Sequence, residues 1–590
     1  MGVVFGDIGT SPIYTLTVIF LLVVPTLENL IGIVSLIIWT LTTVVTIQYA
    51  WLAMQLGHKG EGGTIVLRET ILPLLKSGRG VGFFSLLSII GVSLLIGDGV
   101  ITPAISILSA VEGLRLIPGA ADVSQYLLVW IAAFIAIGLF SLQKKGTERV
   151  AWAFGPIMVI WFITLAGLGV FYLIGAPIML QALNPLAGIS FFTGNGLSGF
   201  FILSQVILCA TGGEALFADM GQLGRDPILK AWTLVFGALV LNYLGQAAFL
   251  YTHPGAKNVL FEMAFNLAPL LYIPFLLLTV IATVIASQAI VSGIFSIVYQ
   301  GITTRILPFL KIDYTSAELR SQIYIDTVNW FLLLSVLYVL FQFGYSERLA
   351  AAYGLAVMGT MTLTGIMVTS IFILRRQYLK MAIAGFVTLI DIVFLLSTTL
   401  KIPYGGYWSL IIAAFPFVLV MIYIKGQERL FRAMKPMELE DFLKKYVPVY
   451  SHVKKIKGTA LFFARDVRKI PSYISHTIFN NNIIYEDNII ITIQILDRPF
   501  GVSWRFEDEI APGLRVFRVE YGYMQMINMT RIMKEAGINE KTIFYGLEEI
   551  VTDNVVWKIF SAVKRLSPSF VQYYKLPSQK IHGVVTRIEM

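Results

Sequence analysis

Five carboxylates stand well inside long apolar stretches of this sequence: Asp7, Asp98, Glu112, Glu214 and Asp391. Asp219 and Asp326 sit nearer the ends of such stretches. An ionised carboxylate within a bilayer costs several kcal/mol. No Lys or Arg lies deep in these stretches as a counter-charge, so the expected partner is a bound cation or a proton. Asp98, Thr102 and Ser106 are spaced by four, which on a helix puts a carboxylate and two hydroxyls on one face. Thr211 and Glu214, three apart, are expected to do the same. A ligand set made only of oxygen suits a hard cation, whose hydration shell it replaces. Taken singly, a Ser or Thr in an apolar helix more simply bonds the carbonyl four residues back. Glu112 lies close enough to a stretch end to reach the interface, and Asp391 suits either a packing or a proton-side role. The lone Cys209 excludes an intramolecular disulfide and a Cys-rich metal site, and reads as a small core residue. The five His are dispersed, with no metal-ligand spacing.

The elements that must carry these groups follow from composition. Of 590 residues, 57% are hydrophobic and 13% charged, and the mean hydropathy is +0.77. Soluble chains average about 25% charged residues, so the deficit argues against an ordinary soluble enzyme. Residues 1–424 hold 19 Lys and Arg and 17 Asp and Glu, whereas residues 425–590 hold 25 and 18. The first region is composed for lipid and the second for water. The net charge of +9 could suggest nucleic acid. Most of it falls in the second region, where it reads as a solvated domain near anionic headgroups, with no nucleic-acid partner.

A bilayer crossing takes about 20 apolar residues. Twelve segments are expected: 3–25, 31–56, 83–113, 125–142, 152–175, 197–219, 231–251, 268–300, 326–343, 347–374, 381–399 and 407–424. Alternate loops carry Lys59, Arg68, Lys76 and Arg79; Lys144, Lys145 and Arg149; Arg225 and Lys230; Arg305, Lys311 and Arg320; and Arg375, Arg376 and Lys380. The opposite loops carry only Arg115, Lys257, Arg348 and Lys401. The basic side is expected to be cytoplasmic, and both termini with it. No cleavable signal peptide is expected.

Two segments are interrupted. The first reads Gly6-Asp7-Ile8-Gly9-Thr10-Ser11-Pro12, and the sixth reads Ala210-Thr211-Gly212-Gly213-Glu214-Ala215. Gly frees the backbone from helical geometry and Pro removes a donor. Non-helical backbone at membrane depth is tolerated only against protein or a water-filled cavity. Segments one to five and six to ten form blocks of similar length, 3–175 and 197–374, each opened by a broken helix. Five is odd, so the second block enters from the other side. This is the pattern of an inverted repeat with a site at its interface. Segments eleven and twelve lie outside it.

On these residues the chain resembles the KUP/HAK/KT family of potassium uptake permeases. The opening run Gly2–Thr15 is similar to that family's first signature. Gly97–Ser106 with Glu112-Gly113 is similar to its third-helix signature, and Thr211–Gly221 to its sixth. Members of the family carry residues ahead of the opening motif, whereas this chain opens inside it. The resemblance implies an all-α polytopic membrane protein with a LeuT-like five-plus-five inverted repeat and two extra helices. It also implies potassium uptake coupled to protons, in a bacterial plasma membrane. Matched to the family's ion site are Asp7, Tyr14, Asp98, Thr102, Ser106, Thr211 and Glu214, with Tyr353 placed by its segment. Glu214 is the expected proton-coupled acid, with Asp98 sharing that role. The ions are cargo and no resident cofactor is expected.

The tail, 425–590, reads as a small α+β cytoplasmic domain, with strands over 488–496 and 514–521 and helices near 526–536 and 555–565. It carries no P-loop. Structural support or contacts in a homodimer are expected of it, with a regulatory nucleotide such as cyclic di-AMP as the alternative. An amino-acid or other metabolite permease of the same fold is the rival function. The acids of segments one, three and six argue against it, because they repel a substrate carboxylate. A membrane enzyme is not expected, since no nucleophile–base pair or metal cluster stands near an interface.

Overall fold

The computed structural model describes residues 2–57, 62–75, 78–145, 148–220, 224–304, 306–314, 323–496, 500–522, 525–566 and 570–590. Lys59, Lys76, Gly221, Arg305 and Arg320, named above, lie outside the described residues.

Eleven helices among the described residues are long and apolar enough to cross a membrane. They are Leu27–Gln55, Arg79–Leu116, Gln125–Leu142, Ala153–Gly175, Gly196–Ala218, Arg225–Thr252, Pro269–Thr303, Asp326–Phe343, Ser346–Leu374, Tyr378–Thr399 and Tyr407–Ala433. They fall at expected segments two to twelve. Segment one is shorter and apolar, Val4–Phe20, built from helices Gly2–Thr10 and Thr15–Phe20. Polar side chains mark several starts. Thr26 accepts from the Asn29 N–H at 3.3 Å and Ser124 from the Leu127 N–H at 3.3 Å, satisfying orphan donors of the first turn.

Three short helices fall where the sequence reading had only loops: Thr64–Ile71, Pro185–Gly194 and Val259–Leu267. Each is too short to register as a span. Segment two also widens into π-type turns over Leu41–Leu52.

The chain divides into two compact units, Met1–Ile297 with Ile312–Phe417 and Val298–Lys311 with Val418–Met590. The second unit holds a six-stranded sheet. In spatial order its strands are Ile581–Glu589, Glu540–Val551, Ile456–Ala464, Tyr485–Leu496, Leu514–Gly522 and Val502–Phe506. All neighbours are parallel except the last pair. Side chains alternate between faces. Leu461, Phe463, Ile489, Ile491, Phe517 and Val519 pack with Met529 and Met533 on one side. Ala460, Phe462 and Ile490 pack with Phe442, Tyr446 and Ile474 on the other. A mostly parallel sheet with one antiparallel edge strand, covered on both faces, is an α/β arrangement, which corrects the α+β expectation. The two strands and two helices read from sequence appear at Tyr485–Leu496, Leu514–Gly522, Met529–Glu535 and Val555–Leu566. Periodicity finds such strands but does not tell parallel from antiparallel pairing.

Candidate functional site

The break in segment one runs from Thr10 to Tyr14, with a tight turn over Ser11–Ile13. It frees backbone carbonyls, and two other segments satisfy them. Trp161 Nε1 donates to the Gly9 carbonyl at 2.8 Å, and Gln246 Nε2 donates to the Pro12 carbonyl at 3.0 Å. Gln246 is itself braced by Asn242 Oδ1 at 2.7 Å. These supports were missed in the sequence reading, although a Gln and a Trp inside apolar spans are the signal that points to them.

Segment six is broken between Ala210 and Gly213. Thr211 is extended (φ −55°, ψ 143°) and Gly212 takes the left-handed conformation at φ +81°. A side chain at Gly212 would meet Asp7 Cβ, Asp7 Oδ2 and the Ile8 nitrogen at 2.9 Å, so only Gly lets the two breaks approach. The contact is sealed by the Ser11 and Thr211 hydroxyls, 2.6 Å apart. The Tyr14 hydroxyl lies 3.5 Å from Ser11 Oγ. Thr211 and Glu214 do not share a helix face as their spacing suggested, because the helix begins only at Gly213.

Segment three brings its carboxylate as expected. Thr102 Oγ1 lies 2.9 Å from Asp98 Oδ1, one turn away. It also lies 3.2 Å from the Tyr353 hydroxyl. Tyr353 stands in a third break, which the sequence reading missed. Segment ten is two helices, Ser346–Ala352 and Leu355–Leu374, with Tyr353 extended and Gly354 at φ +107° between them. A single Gly in a long apolar run gave little signal.

Asp7, Asp98 and Glu214 line one cavity of about 30 Å³, with Gly212, Ala215, Ala218, Ile290 and Met361 among its other walls. By the same measure one water needs about 10–15 Å³, so the space suits a small ion with little water. Asp7 Oδ1 and Glu214 Oε1 are buried with no hydrogen-bond partner among the described residues. Buried carboxylate oxygens of that kind need a cation or a proton. Ser106 is buried one turn beyond Thr102, and its hydroxyl is also unpartnered. No hydrogen bond joins it to the cluster.

The remaining acids stand apart. Glu112 accepts from Gln125 Nε2 at 2.9 Å and from the Ser346 N–H at 3.1 Å, so it is bound within the protein rather than reaching the interface. Asp391 is fully buried beside Gly365 and does not line the cavity. Asp219 is buried with both oxygens unpartnered among the described residues. Cys209 is buried, with Ile37 O at 3.8 Å, as a core residue. No cluster of three or more His, Cys, Asp or Glu that could hold a metal is found among the described residues.

A multi-pass helical membrane domain with a carboxylate-lined cavity, followed by a small α/β domain, is the build of a membrane transporter. The chain belongs to the K+ potassium transporter family: its integral membrane domain model matches residues 1–428 and its C-terminal domain model matches residues 457–590. It is not a family of enzymes. The chain is 62% identical over its full length to the "Probable potassium transport system protein Kup" of Methanosarcina acetivorans, covering 98% of that protein. It is 61% identical to the protein of the same name from Methanosarcina barkeri, again over all of this chain and 98% of the relative. It is 57% identical to "Probable potassium transport system protein Kup 1" of Geobacter metallireducens, over all of this chain and 97% of the relative. Relatives thus occur in archaea as well as in bacteria.

Proposed function

We propose that this chain takes up potassium together with protons across the plasma membrane, by alternating access around the cavity between segments one, three and six. The observation that carries the reading is the convergence of Asp7, Asp98 and Glu214 on one small space where two broken helices meet. The family membership and the names of the relatives support potassium as the cargo.

In this reading Asp7, Asp98, Thr102, Ser106, Thr211, Tyr14 and Tyr353 supply oxygen to a potassium ion partly stripped of water. Glu214 takes and releases the coupled proton, because its proton affinity depends on its burial and on the ion beside it. Segments one to five and six to ten form a LeuT-like inverted repeat, supported by the breaks that open both blocks. Residues 1–424 form the transport domain. Residues 425–590 lie in the cytoplasm with both termini, as the loop charges suggest.

The deciding experiment is uptake of potassium or rubidium into proteoliposomes with and without an imposed pH gradient. Saturable uptake driven by an inward proton gradient supports the proposal. Uptake of amino acids in its place supports the rival permease. Conduction indifferent to the gradient and without saturation supports a channel.

A further inference from the structure

The seven-residue helix Ser346–Ala352 is held at both ends by charged side chains from other parts of the fold. At its start the Glu112 carboxylate accepts from the Ser346 backbone N–H at 3.1 Å and from the Ser346 hydroxyl. At its end Lys401 Nζ donates to the Ala350 carbonyl at 3.1 Å and lies 3.4 Å from the Tyr353 carbonyl. A carboxylate at the N-terminus and an ammonium at the C-terminus both complement the helix dipole.

Lys401 belongs to the turn between segments eleven and twelve, outside the proposed repeat. It is only 1% exposed, and it pairs with no carboxylate among the described residues. Burial pulls its pKa down to about 7, and the Ala350 and Tyr353 carbonyls are its hydrogen-bond acceptors. The turn aims the side chain inward. The Tyr404 and Gly406 N–H groups both donate to the Lys401 carbonyl at 2.9 Å. A side chain at Gly406 would stand 2.9 Å from that same carbonyl. The carbonyl that Lys401 approaches at Tyr353 belongs to the residue whose hydroxyl stands 3.2 Å from Thr102.

We propose that Lys401 is a positioning residue for cargo binding: its ammonium ties down the carbonyl end of helix Ser346–Ala352 and so fixes the Tyr353 hydroxyl beside Thr102 and Asp98. This rests on the site assignment above, and Lys401 itself does not touch the ion. It gives a segment outside the repeat a direct hold on the site.

The test is equilibrium rubidium binding to the purified full-length chain at pH 6, below the range to which burial lowers Lys401. Tyr353→Phe is expected to weaken binding about tenfold. Lys401→Met is expected to weaken it about as much, and the double variant no further than Tyr353→Phe alone, since both act on one contact. Lys401→Arg, which keeps the charge, is expected to recover much of the affinity. Thermal unfolding of each variant separates a structural role, which lowers stability without changing the affinity of the folded fraction. Lys401→Gln serves if the Met variant does not fold, with the same expected loss. Wild-type affinity in folded Lys401→Met, or losses that add in the double variant, overturn the role of Lys401. Wild-type affinity in Tyr353→Phe overturns the site assignment itself.

Discussion

The hydroxyls of Ser11 and Thr211 lie 2.6 Å apart, joining two helix breaks that are 200 positions apart in the chain. Ser11 sits in the tight turn that ends the first helix and Thr211 in extended backbone, so the contact joins segments one and six where their α-helices are interrupted. A buried neutral hydrogen bond contributes about 0.5–1.5 kcal/mol. Ser11→Ala and Thr211→Ala are each expected to weaken rubidium affinity a few-fold, with the double variant close to the worse single one. Full additivity in equilibrium binding would show that the pair does not act as a unit.

Gly212 tolerates no side chain. Its positive φ costs an L-residue about 1–2 kcal/mol, and its neighbours Asp7 and Ile8 stand 2.9 Å from where a Cβ would be. Gly212→Ala is expected to abolish rubidium uptake in a host lacking potassium uptake, while membrane-inserted protein is still detected. Near-normal uptake would mean that segments one and six need not approach this closely.

Asp7 and Glu214 line the same cavity, and the proposal gives them different tasks. Asp7→Asn is expected to raise the half-saturating rubidium concentration at least tenfold. Glu214→Gln is expected to retain binding but lose stimulation by an imposed pH gradient in proteoliposomes. If Glu214→Gln keeps full gradient-driven uptake, the proton is carried elsewhere.

Gln246→Leu leaves the Pro12 carbonyl without its donor in a buried site. An orphaned buried acceptor costs about 1–3 kcal/mol. The variant is expected to unfold at lower temperature in detergent, by intrinsic fluorescence, and to bind rubidium more weakly. Gln246→Glu, which can donate only when protonated, is expected to fall between the two as pH is lowered. Unchanged stability of Gln246→Leu would show that the break satisfies itself.

Much of this was legible in the residues. The apolar segments showed themselves by composition, because lipid leaves little choice of residue. The acids at depth stood out because nothing nearby could balance them, and the spacing of Asp98 and Thr102 gave their hydrogen bond directly. The breaks in segments one and six were visible because Gly, Pro and hydroxyls cluster there, although Gly6, Asp7 and Gly9 prove helical and the first break falls only at Thr10–Tyr14. The break at Tyr353 was not, since one Gly354 in a long apolar run looks like any packing glycine. Trp161, Gln246 and Lys401 were passed over for a related reason. Each acts on a backbone carbonyl far away in sequence, and a carbonyl has no residue type to read. The parallel sheet was hidden too, because partner order in a covered sheet depends on crossovers rather than on strand composition.

The side chains of Trp161 and Gln246 bear on how the proposed site would meet its cargo. They hold the unwound stretch of segment one in shape through the Gly9 and Pro12 carbonyls. An arriving ion therefore does not have to organise a floppy loop around itself, and no affinity is lost to that ordering. The same two carbonyls are each already engaged by a side-chain donor. If the proposed site holds the ion, its carboxylates and hydroxyls are carried on backbone that is already braced before the cargo enters.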